Sequence, residues 1–226
     1  MEYTILCAGC SFTHCQRPNQ TGELIEHPYA SFLPGQTYNI GQRGIGIRPL
    51  YFINFFKKNK DIKLTHVVYQ VPCPTRQPVD LNDYNEKHFR ATLIKGSFQS
   101  VWMQLRYYEK RVKGIHMKHS LQAFDKIDQY LKKAIDMVDN NVKLIREKQP
   151  NTKIIFFRYE HTSKPLIYEF SKNFYKTMLT DYCKENNITY IYEENFNTRW
   201  FQKNNYGVHP NKAGAKLIAD KIKEYL

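Results

Sequence analysis

Short apolar runs recur along this chain and alternate with longer segments of helical periodicity. Five runs of four to six residues have the length and composition of buried strands. They are Tyr3 to Ala8, Thr37 to Ile40, His66 to Val71, Lys153 to Arg158 and Ile188 to Tyr192. Because buried strands that alternate with helices usually pair in parallel, the pattern predicts an α/β fold in which helices cover both faces of a mostly parallel five-stranded sheet.

Four segments carry apolar residues three or four positions apart and are predicted to be helices. They are residues 47–58, 120–148, 165–186 and 211–226. Asn186 and Asn187 are expected to end the third helix, and Asn211 is expected to cap the fourth. In a sheet of this kind, functional sites form at the carboxyl ends of the strands, so the residues that follow each strand are the first candidates for chemistry.

One segment interrupts the alternation. We predict that residues 77–119 form an insertion, placed like a lid over one edge of the sheet, within a single domain of residues 1–226. Residues 86–119 contain eight Lys or Arg against two acidic residues, and Trp102, Tyr107 and Tyr108 lie among them. Such a segment is either a solvated face with aromatic side chains packed beneath it, or a groove for nucleic acid or another polyanion.

Composition narrows the class of protein. The net charge of +13 fits a partner rich in phosphate or carboxylate, or simply a lysine-rich composition. There is no run of eighteen apolar residues, so no membrane partner is expected. The five cysteines are an odd number, and the N-terminus lacks the pattern of a signal peptide, which together predict a cytoplasmic protein.

The first predicted strand runs into a segment with two possible chemistries. Cys7, Cys10, His14 and Cys15 supply enough donors for a metal, but strand alternation turns Cys7 toward the core and no second ligand cluster follows. Buried, unreactive thiols are therefore favoured over zinc. The alternative is Ser11, which stands where the strand ends and a turn begins, as either a capping serine or a nucleophile.

The end of the chain favours the nucleophile. His209 directly precedes the last predicted helix, between Gly207 and Pro210, on a stretch that proline stiffens. A histidine fixed in this way can take the proton of a serine hydroxyl at the end of a neighbouring strand.

Three stretches, in this order, resemble the sequence blocks of the SGNH (GDSL-like) hydrolases. They are Gly9-Cys10-Ser11-Phe12-Thr13, Asn39-Ile40-Gly41-Gln42-Arg43-Gly44, and Gly207-Val208-His209-Pro210-Asn211 with Gly214. The resemblance covers nearly the whole chain and implies a three-layer α/β/α fold of flavodoxin-like type with serine esterase chemistry. It makes Ser11 the nucleophile and His209 the catalytic base, and it gives the N–H groups of Ser11 and Gly44 to the oxyanion hole.

The sequence departs from the family pattern at three positions. Cys10 stands where the family has an aspartate before the serine, a change that leaves the nucleophile in place. The family has an asparagine in its third sequence block whose side chain donates to the oxyanion. No such asparagine follows the third predicted strand of this chain, so Gln70 or Arg76 is the candidate third oxyanion donor. The acid three residues before the histidine is replaced by Tyr206. A Ser–His dyad and a retired active site are both compatible with these changes.

We therefore predict a hydrolase or acyltransferase that acts on an ester, such as an O-acyl group on a sugar or another small polar molecule, and that requires no metal or organic cofactor. The residues predicted to line the substrate pocket are Cys10, Asn39, Arg43, Glu160, Asn205 and Tyr206. The alternative is a catalytically retired fold that binds nucleic acid or another polyanion through residues 86–119.

Overall fold

The structure is a computed structural model that describes the central sheet and the helices that cover it. The described residues are 2–9, 13, 17–18, 24–41, 47, 49–72, 74, 127–159, 172–193, 201–204 and 207–226. Within them, only the backbone is described for residues 17–18, 24–26, 127–130, 201–204 and 207–209. The predicted insertion, residues 77–119, lies outside the described residues.

The described residues form strands in two kinds of sheet. In chain order the strands are β1 (Thr4–Ala8), β2 (Arg17–Pro18), β3 (Leu24–Glu26), β4 (Gln36–Asn39), β5 (His66–Gln70), β6 (Lys153–Tyr159), β7 (Thr189–Glu193), β8 (Phe201–Asn204) and β9 (Gly207–Pro210). Five of them form a parallel sheet in the order β4-β1-β5-β6-β7. The other four form two antiparallel ribbons, β2 with β3 and β8 with β9.

Helices connect the strands. In the described part of the chain they are α1 (Leu50–Lys58), α2 (Ile127–Lys148), α3 (Leu179–Glu185) and α4 (Lys212–Lys223). A 3₁₀ helix, Tyr29–Phe32, precedes β4, and a π-helical turn, Phe174–Met178, leads into α3. All five predicted strands of the parallel sheet are present, each within two residues of its predicted limits.

Side-chain alternation along the strands divides the core into two layers. Leu6 of β1 packs on one face, in a cluster with buried residues of α1, α2 and α3. Ile5 and Cys7 point to the other face, where they meet residues of the 3₁₀ helix and of α4 such as Tyr29 and Ile218. Helices thus cover both faces of the sheet, which confirms the predicted three-layer α/β/α fold.

Two details differ from the sequence-based expectation. The first helix begins at Leu50 rather than Ile47: Pro49 occupies the N-cap position with φ −71°, and a proline disfavours the helical conformation in the residue that precedes it. Ile47 is nonetheless fully buried. The two short ribbons were not predicted, because strands of two to four residues are too short to show a period-two pattern.

Two of the predicted helix ends are confirmed. Asn211 caps α4, where its side-chain oxygen accepts a hydrogen bond from the Gly214 N–H at 2.9 Å. Helix α3 ends at Glu185, and Asn187 after it takes a positive φ of 52°. Among the described helices, none combines the length and the apolar character that crossing a bilayer requires.

His66 makes the stability of this fold dependent on pH. Its ring is almost fully buried at the amino end of β5, with Nδ1 3.0 Å from Thr65 Oγ1 and with Lys153 as its pairing partner on β6. Burial, and to a lesser extent the charge of Lys153, lowers the pKa of His66 below its usual value of 6.5. The folded protein therefore resists protonation at this site while the unfolded chain accepts the proton.

Because the unfolded state binds more protons, the free energy of unfolding is expected to fall as the pH drops below about 6.5. Urea midpoints measured between pH 7.5 and 5.5 would show the loss, and His66→Gln should reduce its slope. An identical slope in the variant would contradict this assignment.

Candidate active site

The strand order places a topological switch point at the carboxyl ends of β4, β1 and β5, here called the switch-point edge. β1 lies between β4 and β5 in the sheet. The chain runs from β1 to β4 on one side and then crosses to β5 on the other side, so the direction in which strands are added reverses at β1. In parallel α/β sheets, such a reversal leaves a crevice that binds ligands. The segment that contains Ser11 leaves the sheet here, directly after β1.

Gly9 begins this segment in a conformation that requires glycine. It is buried, with φ +150°, a value that residues with a side chain rarely adopt. A Cβ atom at this position would lie 2.3 Å from Thr13 Oγ1 and 2.8 Å from the carbonyl oxygen of Gln70. The chain can therefore turn sharply after β1 and remain in contact with β5 only because residue 9 has no side chain.

Thr13 closes the turn from the other side. It is fully buried, and its hydroxyl donates to Gln70 Oε1 at 2.9 Å, with the Ala8 carbonyl oxygen 3.3 Å away. Its own carbonyl oxygen accepts a hydrogen bond from Asn39 Nδ2 at 2.7 Å. Residue 13 is thus attached to both neighbouring strands, β5 through its side chain and β4 through its backbone.

Asn39 and Gln70 hold this turn, called the Gly9–Thr13 turn below. The Asn39 amide group donates to Thr13, and its oxygen accepts from the Gly41 N–H at 2.9 Å. Gln70 is fully buried beneath the turn. The roles predicted from sequence, a substrate contact for Asn39 and an oxyanion donor for Gln70, stay predictions. The sequence does contain a signal for this supporting role, because Asn39 and Gln70 are each a polar residue at the end of a strand.

The backbone of His209 lies on β9, immediately before α4. β9 pairs with β8, and the Pro210 carbonyl oxygen accepts a hydrogen bond from the His27 N–H at 3.3 Å. Tyr225, just beyond α4, helps to line a cavity of about 420 Å³ at the amino ends of β6 and β7, together with Lys153 and Thr189. Because α4 ends at the amino edge of the sheet, its start and the preceding β9 lie toward the carboxyl edge.

The remaining site residues predicted from sequence are Cys10, Ser11, Arg43, Gly44, Arg76, Glu160, Asn205 and Tyr206. All of them lie outside the described residues, as do His14 and Cys15. The described part of the site is therefore the frame around the candidate nucleophile: Gly9 and Thr13 at the two ends of the turn, and the side chains of Asn39 and Gln70 that hold it.

The two described cysteines are buried. Cys7 is fully buried, as strand alternation predicted, and burial raises the pKa of its thiol to about 12. Burial likewise raises the pKa of Cys183 to about 12. Both thiols are therefore neutral at physiological pH and poor nucleophiles or metal ligands. The described residues contain no group of three or more metal-binding side chains.

Comparison with known proteins gives matches in structure only. No protein-family model matches the chain, and no curated protein is significantly similar to it in sequence. A protein assigned to the G-D-S-L lipolytic family, from Desulfitobacterium hafniense, has a similar structure with 12% identity, coverage of 100% of both chains and a TM-score of 0.54.

Two esterases also have similar structures. A catalytic mutant of an acetylxylan esterase from Geobacillus stearothermophilus is 14% identical over 99% of this chain and 94% of its own, with a TM-score of 0.54. A family two carbohydrate esterase from Clostridium thermocellum, solved in complex with cellohexaose, is 13% identical over 99% of this chain and 63% of its own, with a TM-score of 0.54. At these identities the likeness is one of fold. The sheet order and these matches agree with the motifs: the chain has the fold of the SGNH (GDSL-like) hydrolases.

Proposed function

We propose that this protein is an SGNH-type ester hydrolase or acyltransferase with Ser11 as nucleophile and His209 as general base. The observation that carries the proposal is the fixed Gly9–Thr13 turn at the switch-point edge. A buried threonine, a buried glutamine and a conformation restricted to glycine fix the two ends of a five-residue segment. Ser11 is the central residue of that segment. Fixed ends support a role for the residue between them as a nucleophile, because catalysis depends on a preset geometry.

The reaction proceeds in two halves. Ser11 Oγ attacks the acyl carbonyl carbon while His209 takes the hydroxyl proton, and the N–H groups of Ser11 and Gly44 stabilise the oxyanion, with Gln70 or Arg76 as third donor. The intermediate collapses, and the leaving alcohol receives the proton from His209. Water, or a second alcohol in an acyltransferase, then attacks the acyl-enzyme while His209 takes its proton, and His209 returns that proton to Ser11 Oγ as the acyl–serine bond breaks.

The proposed substrate is a small polar ester, such as an O-acyl group on a sugar. Support comes from two proteins of similar fold, one an acetylxylan esterase and the other a carbohydrate esterase solved with cellohexaose. We further propose that the chain forms a single cytoplasmic domain. Within it, residues 77–119, which follow β5 in the chain, form a lid over the switch-point edge. A lid there would enclose the bound ester while the acyl-enzyme forms.

Covalent labelling tests the proposal. A fluorophosphonate reacts with an activated serine, so one label per molecule is expected on the peptide that contains Ser11, as located by mass spectrometry. Ser11→Ala should remove the label, whereas Ser31→Ala, a change at an exposed serine of the 3₁₀ helix, should retain it.

Folded wild-type protein that stays unlabelled and hydrolyses no ester would contradict the proposal. Binding of a polyanion that weakens with salt and survives Ser11→Ala would then favour the retired-site alternative.

A further inference from the structure

The cavity of about 420 Å³ at the amino ends of β6 and β7, called the amino-edge cavity below, arises from the unequal start of the two strands. β6 begins at Lys153, but its pairing with β7 begins only at Ile155, opposite Thr189. Asn187 would lie opposite Lys153 in a longer β7, but it takes a positive φ of 52° in the turn after α3. A gap is therefore left beside the first residues of β6.

The lining of the amino-edge cavity is basic, and none of the described residues that form it is acidic. Arg146, near the end of α2, and Lys153 are both exposed and contribute two positive charges. Asn187, Thr189 and Tyr225 add side-chain amide and hydroxyl groups. Within the described part of the chain, neither Arg146 nor Lys153 forms an ion pair. An anionic ligand would supply the missing opposite charge.

Both cations are attached to a fixed frame. The Lys153 N–H donates to the carbonyl oxygen of Thr65 at 3.0 Å, so its backbone is joined to the segment before β5. Arg146 Nη2 donates at 2.5 Å to the carbonyl oxygen of Asn186, the C-cap residue of α3. This bond satisfies a helix-end carbonyl group that would otherwise repel an anion, and it leaves the remaining N–H donors of the guanidinium for a ligand.

A phosphate group matches this lining. A phosphate monoester carries nearly two negative charges at neutral pH, and its oxygens accept charge-assisted hydrogen bonds from a guanidinium and an ammonium group. The volume of about 420 Å³ is in the range of small-molecule sites, whereas a lone phosphate ion fills only part of such a space. The polar side chain of Thr189 and the exposed ring of Tyr225 bound the rest, which suits a polar organic group.

We propose that the amino-edge cavity binds a phosphorylated small molecule, with its phosphate group on Arg146 and Lys153. The polar remainder of the ligand lies against Thr189 and Tyr225. The site goes beyond the proposed esterase function, because it lies at the opposite edge of the sheet from the Gly9–Thr13 turn. The five residues of β5 separate the two edges by about 16 Å.

Calorimetric titration of the full-length chain at low ionic strength tests the proposal, with glucose 6-phosphate, inorganic phosphate and neutral glucose as probes. Glucose 6-phosphate is expected to bind more tightly than inorganic phosphate, and glucose is expected not to bind. Lys153→Gln and Arg146→Gln should each raise Kd for glucose 6-phosphate about tenfold, because each removes a hydrogen bond between charged groups. Arg146→Lys should give an intermediate Kd, since the charge remains while the planar fork is lost.

Lys216→Gln is the matched control for the change of charge. Lys216 is an exposed residue of α4 that does not line the cavity, so this variant should keep the wild-type Kd for both phosphate ligands. Tyr225→Ala tests the rest of the cavity: it should weaken the binding of glucose 6-phosphate and leave that of inorganic phosphate unchanged. Calorimetry does not depend on ester hydrolysis, so the outcome is independent of whether Ser11 is catalytic.

Folded wild-type protein that binds neither phosphate ligand would overturn the proposal, and so would a Kd that neither Lys153→Gln nor Arg146→Gln raises. An equal increase in Lys216→Gln would also overturn it, because binding would then follow the overall charge of the protein. Equal affinity for inorganic phosphate and glucose 6-phosphate would refute a larger ligand. If the urea midpoint shows that Arg146→Gln is unfolded, Lys153→Gln decides the result, because the Lys153 side chain is exposed.

Discussion

Replacing Ser11 by alanine is expected to lower kcat for ester hydrolysis at least about 100-fold. In serine hydrolases with a complete triad, loss of the serine costs about 10⁶ in turnover, and loss of the acid alone costs about 10⁴. This chain has Tyr206 at the position where the family places the acid. If nothing replaces that acid, the wild-type enzyme is already slow, and about 100-fold remains to be lost with the serine.

The size of the loss is therefore informative. A decrease of about 10⁶-fold in the kcat of Ser11→Ala would indicate that another group, such as Asn205 or a backbone carbonyl, orients His209. In either case the two catalytic residues act as a unit, so the double variant Ser11→Ala/His209→Ala should be no slower than Ser11→Ala alone. Single-turnover and steady-state rates of the wild type, of Ser11→Ala and of the double variant would measure this, with Ser31→Ala as control. Additive losses in the double variant would contradict a Ser–His dyad.

The sheet could be predicted from sequence because its strands are buried on both faces. In β5, all five residues from His66 to Gln70 are buried, and the sequence there has three consecutive apolar residues, Val67 to Tyr69, instead of a period-two alternation. Asparagine marked two of the helix ends through local backbone chemistry, Asn211 before α4 and Asn187 after α3, whereas the start of α1 after Pro49 was placed too early. The pairing order of the strands was not predicted, because these local features do not encode which strands are neighbours in the sheet.

The motifs predict where the candidate site lies, but they do not predict the contacts that support it. The motifs point to Ser11 and His209, and the fold brings the ends of the Gly9–Thr13 turn to the switch-point edge. The sequence motif also contains Thr13, but its bond to Gln70 spans 57 positions. Contacts between residues so far apart follow from tertiary structure, which single-sequence periodicity does not encode.

Gly9→Ala is expected to destabilise the protein by about 3 kcal/mol and to abolish the activity of the molecules that remain folded. The backbone at φ +150° costs about 1–3 kcal/mol for a residue with a side chain. The new Cβ would also meet the carbonyl oxygen of Gln70 at 2.8 Å, and that atom cannot move without displacing the end of β5. The turn must therefore shift away from β5, which breaks the bond between Thr13 and Gln70 and moves Ser11.

Gly35→Ala is a matched control for backbone strain. Gly35 has φ +75°, and a Cβ there would lie 2.2 Å from the carbonyl oxygen of Tyr3, at the amino edge of the sheet. We expect a similar loss of stability in urea unfolding, but wild-type kcat per folded molecule, because this clash lies at the far end of β1 from Ser11. If both variants kept wild-type kcat once corrected for the folded fraction, the geometry of the Gly9–Thr13 turn would not control catalysis. If only Gly9→Ala lost it, the strained glycine after β1 would be a determinant of how the nucleophile is presented, and the fluorophosphonate label on Ser11 should disappear with it.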